Sequence, residues 1–224
     1  MNDLPNLASE RLGAVVLWAS DDFFAAKENL VRDAAAEWRE HEYTDRGKWM
    51  DGWESRRKRA LGDVEDAAIV RLAMPGVVRG VVVDTAFFRG NFPERCAIEG
   101  TAAREGTLVD ELLAPTTEWI EVVPPSALRG DSKNVFEPRC EVALTHLRLR
   151  IFPDGGVARL RVHASPAPDW VRVGGASSPF DLASLEAGGE VLACSERSSR
   201  NRRRGNLGSA AAVASSCPAV PRPR

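Results

Sequence analysis

Apolar residues along much of this chain recur at every second position, the period of a half-buried strand. Over residues 142–151, Val142, Leu144, His146, Arg148 and Arg150 share one side, while Ala143, Thr145, Leu147, Leu149 and Ile151 share the other. Pro153-Asp154-Gly155-Gly156 supplies turn residues. The next run sets Ala158, Leu160, Val162 and Ala164 against Arg159, Arg161 and His163, so the pattern predicts a hairpin. Further strands are predicted over 14–19, 67–72, 77–85, 97–99 and 119–123, separated by clusters of Gly, Pro and Asp. Helical spacing occurs only over 28–39, where Leu30, Ala34 and Trp38 fall four apart, and 126–128 is read as a turn. Short strands with irregular connections predict a mainly β fold, an antiparallel sandwich or jelly roll.

The chain also repeats itself. Leu7-Ala8-Ser9 recurs as Leu182-Ala183-Ser184, and the same offset of 175 places Gly13 on Gly188, Val16 on Val191, Leu17 on Leu192 and Ser20 on Ser195. Residues 1–175 are therefore expected to form one β-sandwich repeat and 176–196 the start of a second copy. After Glu196 the sequence turns into Arg, Ala, Ser and Pro without hydrophobic periodicity. Such a composition cannot bury enough apolar surface to offset chain entropy, so 197–224 is expected to be disordered. The abrupt change inside a repeat favours a frameshifted or truncated reading over an evolved basic arm.

The composition, 44% hydrophobic and 28% charged with 18 Gly and 14 Pro, is that of a globular protein rich in turns. The net charge of −2 conceals an asymmetry, because seven Arg and no acid lie in 197–224. Without them, 23 Lys and Arg face 32 Asp and Glu. A body that acidic gains little from counterion release, so no nucleic-acid partner is expected. Apolar runs such as Gly80-Val81-Val82-Val83 are far shorter than the roughly 20 residues that span a bilayer, and no membrane partner is expected. Cys96, Cys140, Cys194 and Cys217 lack metal-ligand spacing, and the N-terminus lacks a basic segment followed by an apolar one, which reads as a reduced cytoplasmic protein. His41, His146 and His163 form no HxH or HxxxH pattern, so neither a metal nor another cofactor is expected.

Three segments carry candidate chemistry. Tyr43 to Arg59 gathers Lys48, Trp49, Asp51, Trp53, Glu54, Arg56 and Arg57, whose indoles, acids and bases suit a small polar anion. A solvated surface loop with a Trp plugged into the core fits the same residues. The strand ending in Asp84-Thr85, followed by Gly90-Asn91, places polar groups at a sandwich rim, and turn capping would use them equally well. Finally, His146, Arg148, Arg150, Arg159, Arg161 and His163 concentrate positive charge on the predicted hairpin. Something negative should face them, whether acids of this chain, a partner subunit or an anionic substrate.

Taken in order, Leu17-Trp18-Ala19-Ser20-Asp21-Asp22-Phe23-Phe24, the Tyr43 to Arg59 block, Pro75 to Gly80 with Asp84-Thr85, Gly90-Asn91-Phe92-Pro93, and Thr145 to Val162 resemble the conserved blocks of the allantoicases. The resemblance covers about residues 4–196. It implies a jelly-roll sandwich of the galactose-binding-domain type, present as two repeats and assembled as a homo-oligomer. It also implies hydrolysis of allantoate to ureidoglycolate and urea in purine catabolism. On that reading Lys48, Arg56, Arg57 or Arg148 would hold the substrate carboxylate, while Asp84, Thr85 and Asn91 would pair its ureido groups beside the Trp53 indole. Asp51 and Glu54 would exchange the protons, with His146 in reserve. The second repeat's own Asp-Gly-Trp-Glu block is missing after Glu196. The alternative is therefore a non-catalytic ligand-binding module or an inactive truncated remnant of the same family.

Overall fold

The structure, a computed structural model, describes residues 4–59, 64–138 and 140–167. The expectations for 176–196 and 197–224 lie outside the described residues. Among the described residues there are eleven strands: β1 (Val15–Ala19), β2 (Tyr43–Thr44), β3 (Gly47–Lys48), β4 (Trp53–Glu54), β5 (Asp66–Asp84), β6 (Arg95–Thr101), β7 (Ile120–Ala127), β8 (Lys133–Phe136), β9 (Ala143–Phe152), β10 (Gly156–Val157) and β11 (Arg159–Pro166). All their pairings are antiparallel, and the predicted mainly β fold is the one observed.

β5 organises the molecule. Its first half pairs with β1 on one side and β9 on the other, continuing the sheet in the order β1-β5-β9-β6-β7. Its second half pairs instead with β8 and β11. The two predicted strands 67–72 and 77–85 are thus one strand. Pro75 lacks an N–H but falls inside a register shift between Arg71 and Gly76, where ladder pairing with β9 is interrupted anyway. Val70, Val81, Val83, Ile98, Leu147, Leu149, Ile151, Leu160 and Val162 are buried in one continuous cluster. Both arms therefore close over a single core, as a sandwich must.

The predicted hairpin is not formed. β9 pairs with β5 and β6, whereas β11 pairs with the far half of β5. The connection is held away from a hairpin by its own backbone: Ser55 N–H donates to Gly155 O (3.2 Å) and Gly156 N–H to Asn91 O (2.7 Å). These bonds carry the chain across to the other arm, and two alternating runs that look complementary in sequence serve different sheets.

The predicted helix over 28–39 is also replaced, by a 3-10 turn at Lys27–Val31 followed by irregular chain. The carbonyls a helix would use internally are taken by guanidinium groups from β11. Arg159 donates to Ala34 O (2.9 Å) and Ala35 O (3.4 Å), and Arg161 to Arg32 O, Asp33 O (2.9 Å) and Ala34 O (3.1 Å). The short helix that does occur, α1 (Val109–Leu113), carried too few apolar repeats to be read. Ser126, expected in a turn, extends β7. Among the described residues no helix is long and apolar enough to cross a membrane.

Candidate functional site

Three loops and β4 meet at one end of the sandwich. Gly52-Trp53-Glu54 enters this end because Trp53 is 0% exposed, with its indole in the core and Nε1 donating to Asp21 O (2.7 Å). Alternation then turns the next side chain, Glu54, the other way, where it is half-buried. β4 is paired on one side by β10, through Gly156 opposite Glu54, and on the other bridges to Ala25.

The loop after β5 supplies Glu54's partner. Thr85 is fully buried, its hydroxyl lying 2.6 Å from Arg129 O and accepting from Ser132 N–H (3.2 Å). Asp84 accepts the Ala86 N–H at 2.9 Å. Both residues act as turn locks, and what they present is Asn91, whose Nδ2 donates to Glu54 Oε1 at 2.6 Å. The approach is close: Cβ on Gly156 would lie 1.9 Å from the Phe88 ring, and on Gly155, at φ +129°, 2.6 Å from Asn91 O. Glycine is required at both points. Burial raises the Glu54 pKa above the usual carboxylate range, and the Asn91 bond offsets only part of that.

Several cations lie on the segments that flank Glu54 in sequence. Arg56 pairs with Asp21 at 2.6 Å and lies over the Phe23 ring at 5.1 Å, while Arg46 lies over the same ring at 5.2 Å. Arg57 is exposed and makes no ion pair among the described residues. Lys48, on the β2–β3 ribbon, packs its ammonium 3.9 Å from the Trp38 ring centre. Lys58 N–H donates to Asp154 (2.6 Å), and its ammonium pairs with Asp66 (2.8 Å).

Asp51 faces another way from Glu54. Its carboxylate meets Arg159, itself 1% exposed, at 2.7 Å, Arg32 at 3.4 Å and the Glu37 N–H at 2.9 Å. Burial alone would raise its pKa, but the Arg159 bond and these other donors bring it below the usual range. A carboxylate so saturated is a poor proton acceptor and a good anchor.

His146 and Arg148 are not brought to this end. Six residues of β9, at about 3.3 Å each, put His146 roughly 20 Å from Phe152, where the strand reaches it. Arg148 is bound to Glu99 (2.5 Å) and stacks on Trp119 (4.5 Å), and Arg150 pairs with Glu65 and Glu99. The counter-charges to these arginines thus come from this chain. Spacing gave no sign of Asp21, Asp154 or Arg159 as neighbours of the Glu54 block, because each reaches it only through the fold.

The Allantoicase repeat family model matches residues 5–167. The chain is 46% identical over 191 residues to a probable allantoicase of Photobacterium profundum, covering 85% of this chain and 56% of that protein. It is 47% identical over 194 residues to probable allantoicase 1 of Burkholderia mallei, covering 86% and 55%. Among solved structures, the allantoicase of Saccharomyces cerevisiae is similar at 34% identity and a TM-score of 0.57, covering 72% of this chain and 43% of that one. The chain spans about half the length of the curated relatives it matches. With the family model matched over residues 5–167 and the fold shared with a solved relative, the chain belongs to the allantoicase family.

Proposed function

We propose that this repeat serves the hydrolysis of allantoate to ureidoglycolate and urea in purine catabolism, with Glu54 as the group that moves protons. The family match over residues 5–167 carries the reading. The raised pKa of Glu54 supports its role, because a carboxyl that keeps its proton nearer neutrality is suited to acid catalysis.

Allantoate bears a carboxylate and two ureido groups on one carbon. Protonated Glu54 gives its proton to the nitrogen of the departing urea as the C–N bond breaks, and the lone pair of the remaining ureido nitrogen forms a C=N bond. Water then adds to that carbon, and the Glu54 carboxylate takes the proton lost by the water, which restores the acid. Asn91 orients the carboxyl, and Arg57, with Arg56 and Lys48 in the same segment of sequence, offers charge for the substrate carboxylate. Asp51, Asp84 and Thr85 hold the surrounding segments in place, and Trp53 forms the wall beneath. The same reading places the protein in the cytoplasm as a homo-oligomer, which light scattering on the purified chain would test.

The deciding experiment is urea release from allantoate. Equal yields of urea and ureidoglycolate are expected. A folded protein that binds allantoate without releasing urea would instead be a ligand-binding module.

A further inference from the structure

His146 stands on the outer side of its sheet, with Arg148 and Arg150, while Leu147, Leu149 and Ile151 enter the core. It is nevertheless only 2% exposed. Directly opposite it are Arg71 of β5 and Thr101 of β6. Cross-strand neighbours of this kind have Cβ atoms about 4.5–5.5 Å apart. The register shift in β5 begins beside the imidazole. Between Arg71 and Gly76 that strand runs ahead of β9, whose paired residues are His146 and Leu144, so that Leu72 to Pro75 arch opposite Thr145 alone. This arch and the loop 102–106 line an open cleft of about 870 Å³, within the usual size of small-molecule sites.

The polar groups on its wall are set for a particular ligand. Thr145 Oγ1 lies 2.9 Å from Ala103 O and 3.1 Å from Thr101 O, and its single proton goes to one of these carbonyls. The 2.8 Å contact between Thr145 Oγ1 and His146 Nδ1 must then be donated by the imidazole. The neutral ring therefore carries its proton on Nδ1, which leaves Nε2 as an acceptor without a hydrogen-bond partner among the described residues. Burial, and the nearby charge of Arg71, lower the pKa of this ring and favour its neutral form. Arg71 is half-buried and has no ion pair among the described residues. Arg104 is exposed, and Glu105, the one carboxylate of the lining among the described residues, is engaged in an interaction of its own.

We infer that this cleft binds a small ureido or amido carboxylate, its carboxylate on Arg71, an N–H on His146 Nε2 and its hydrocarbon against Leu72 and Met74. It is a second site on the repeat, at the opposite end of β9 from Glu54. Only the choice of a ureido probe rests on the proposed reaction.

The test is a titration of the full chain with N-carbamoylglycine, followed by the imidazole ¹⁵N resonances of its three histidines, with His146→Gln assigning the signal. A saturable change at His146 Nε2 is expected. Arg71→Gln should weaken binding about tenfold or more, Arg71→Lys should fall between, and Glu54→Gln should bind as the wild type. No saturable response in the folded protein, or wild-type binding by both Arg71 variants, would overturn the site. Acetate binding as tightly would overturn the N–H contact and with it the ligand class. Lost urea release with intact His146 titration would sink the reaction alone, and the converse would sink this cleft alone.

Discussion

Asn91 Nδ2 donates a 2.6 Å hydrogen bond to Glu54 Oε1, joining the loop after β5 to β4 across 37 residues of sequence. Through this bond, two segments that carry candidate chemistry separately become one site. The amide also fixes which way the carboxyl points while burial sets its acidity.

Replacing that carboxyl tests the site most directly. Glu54→Gln is expected to lower kcat/KM for allantoate by about 10² to 10⁴, the usual worth of a positioned proton donor. In the wild type, activity that requires the protonated acid should fall as pH rises through the elevated Glu54 pKa, and the variant should lack this limb. Stability follows the same sign: the contribution of the protonated group is full at low pH and is lost as pH rises through the folded-state pKa. Rates and denaturant midpoints measured from pH 4 to 8 would check both.

The Asp51–Arg159 pair should matter for folding more than for proton transfer. Asp51→Asn leaves a guanidinium that is 1% exposed without its counter-charge, at a cost of about 3–5 kcal/mol. Because the Asp51 pKa is depressed, its contribution is present above the unfolded value and is lost as pH falls through the folded one. The denaturant-midpoint difference between wild type and Asp51→Asn should therefore be full near neutral pH and shrink as pH falls below the usual carboxylate range.

Gly156→Ala drives a methyl group into the Phe88 ring, 1.9 Å away before relaxation. A loss of about 1–3 kcal/mol is expected from overpacking. Since Gly156 N–H also holds Asn91 O, activity should drop beyond what the stability loss explains. Comparing kcat/KM at a temperature where the variant is fully folded would separate the two.

Trp53→Phe removes the 2.7 Å bond to Asp21 O and part of the core wall beneath Glu54. A destabilisation of about 1–3 kcal/mol is expected, read from urea denaturation. KM should change less than kcat, because Trp53 lies under the site and is itself inaccessible.

Several features were legible in the sequence for a physical reason: they are local. Period-two alternation placed β9 and β11 to within a few residues, because a strand with one buried face must alternate whatever it pairs with. Family membership was legible in the same way, since the matched blocks are contiguous stretches of residues. Partners were not legible. The run 142–151 and the run 158–164 carry the same alternation whether they pair with each other or with opposite halves of β5, and the choice was made by the Gly155 and Gly156 bonds to Ser55 and Asn91. Helical spacing over 28–39 lost to two guanidinium groups that arrive from more than 120 residues away.

The candidate site divides along the same line. The residue types were available to the sequence: a carboxyl beside a Trp, an Asn in a rim loop and a run of arginines. Their roles were decided by burial and by neighbours brought in through the fold. Asp51 and Glu54, three residues apart and alike in chemistry, point to opposite surroundings, one saturated by cations and the other half-buried against a single amide. The sequence by itself determined the β fold, the family and the supply of chemical groups, because these follow from short-range pattern. Tertiary structure alone decided which acid has its pKa raised and which histidine borders a cleft, because a pKa and a pocket depend on what long-range packing removes from water.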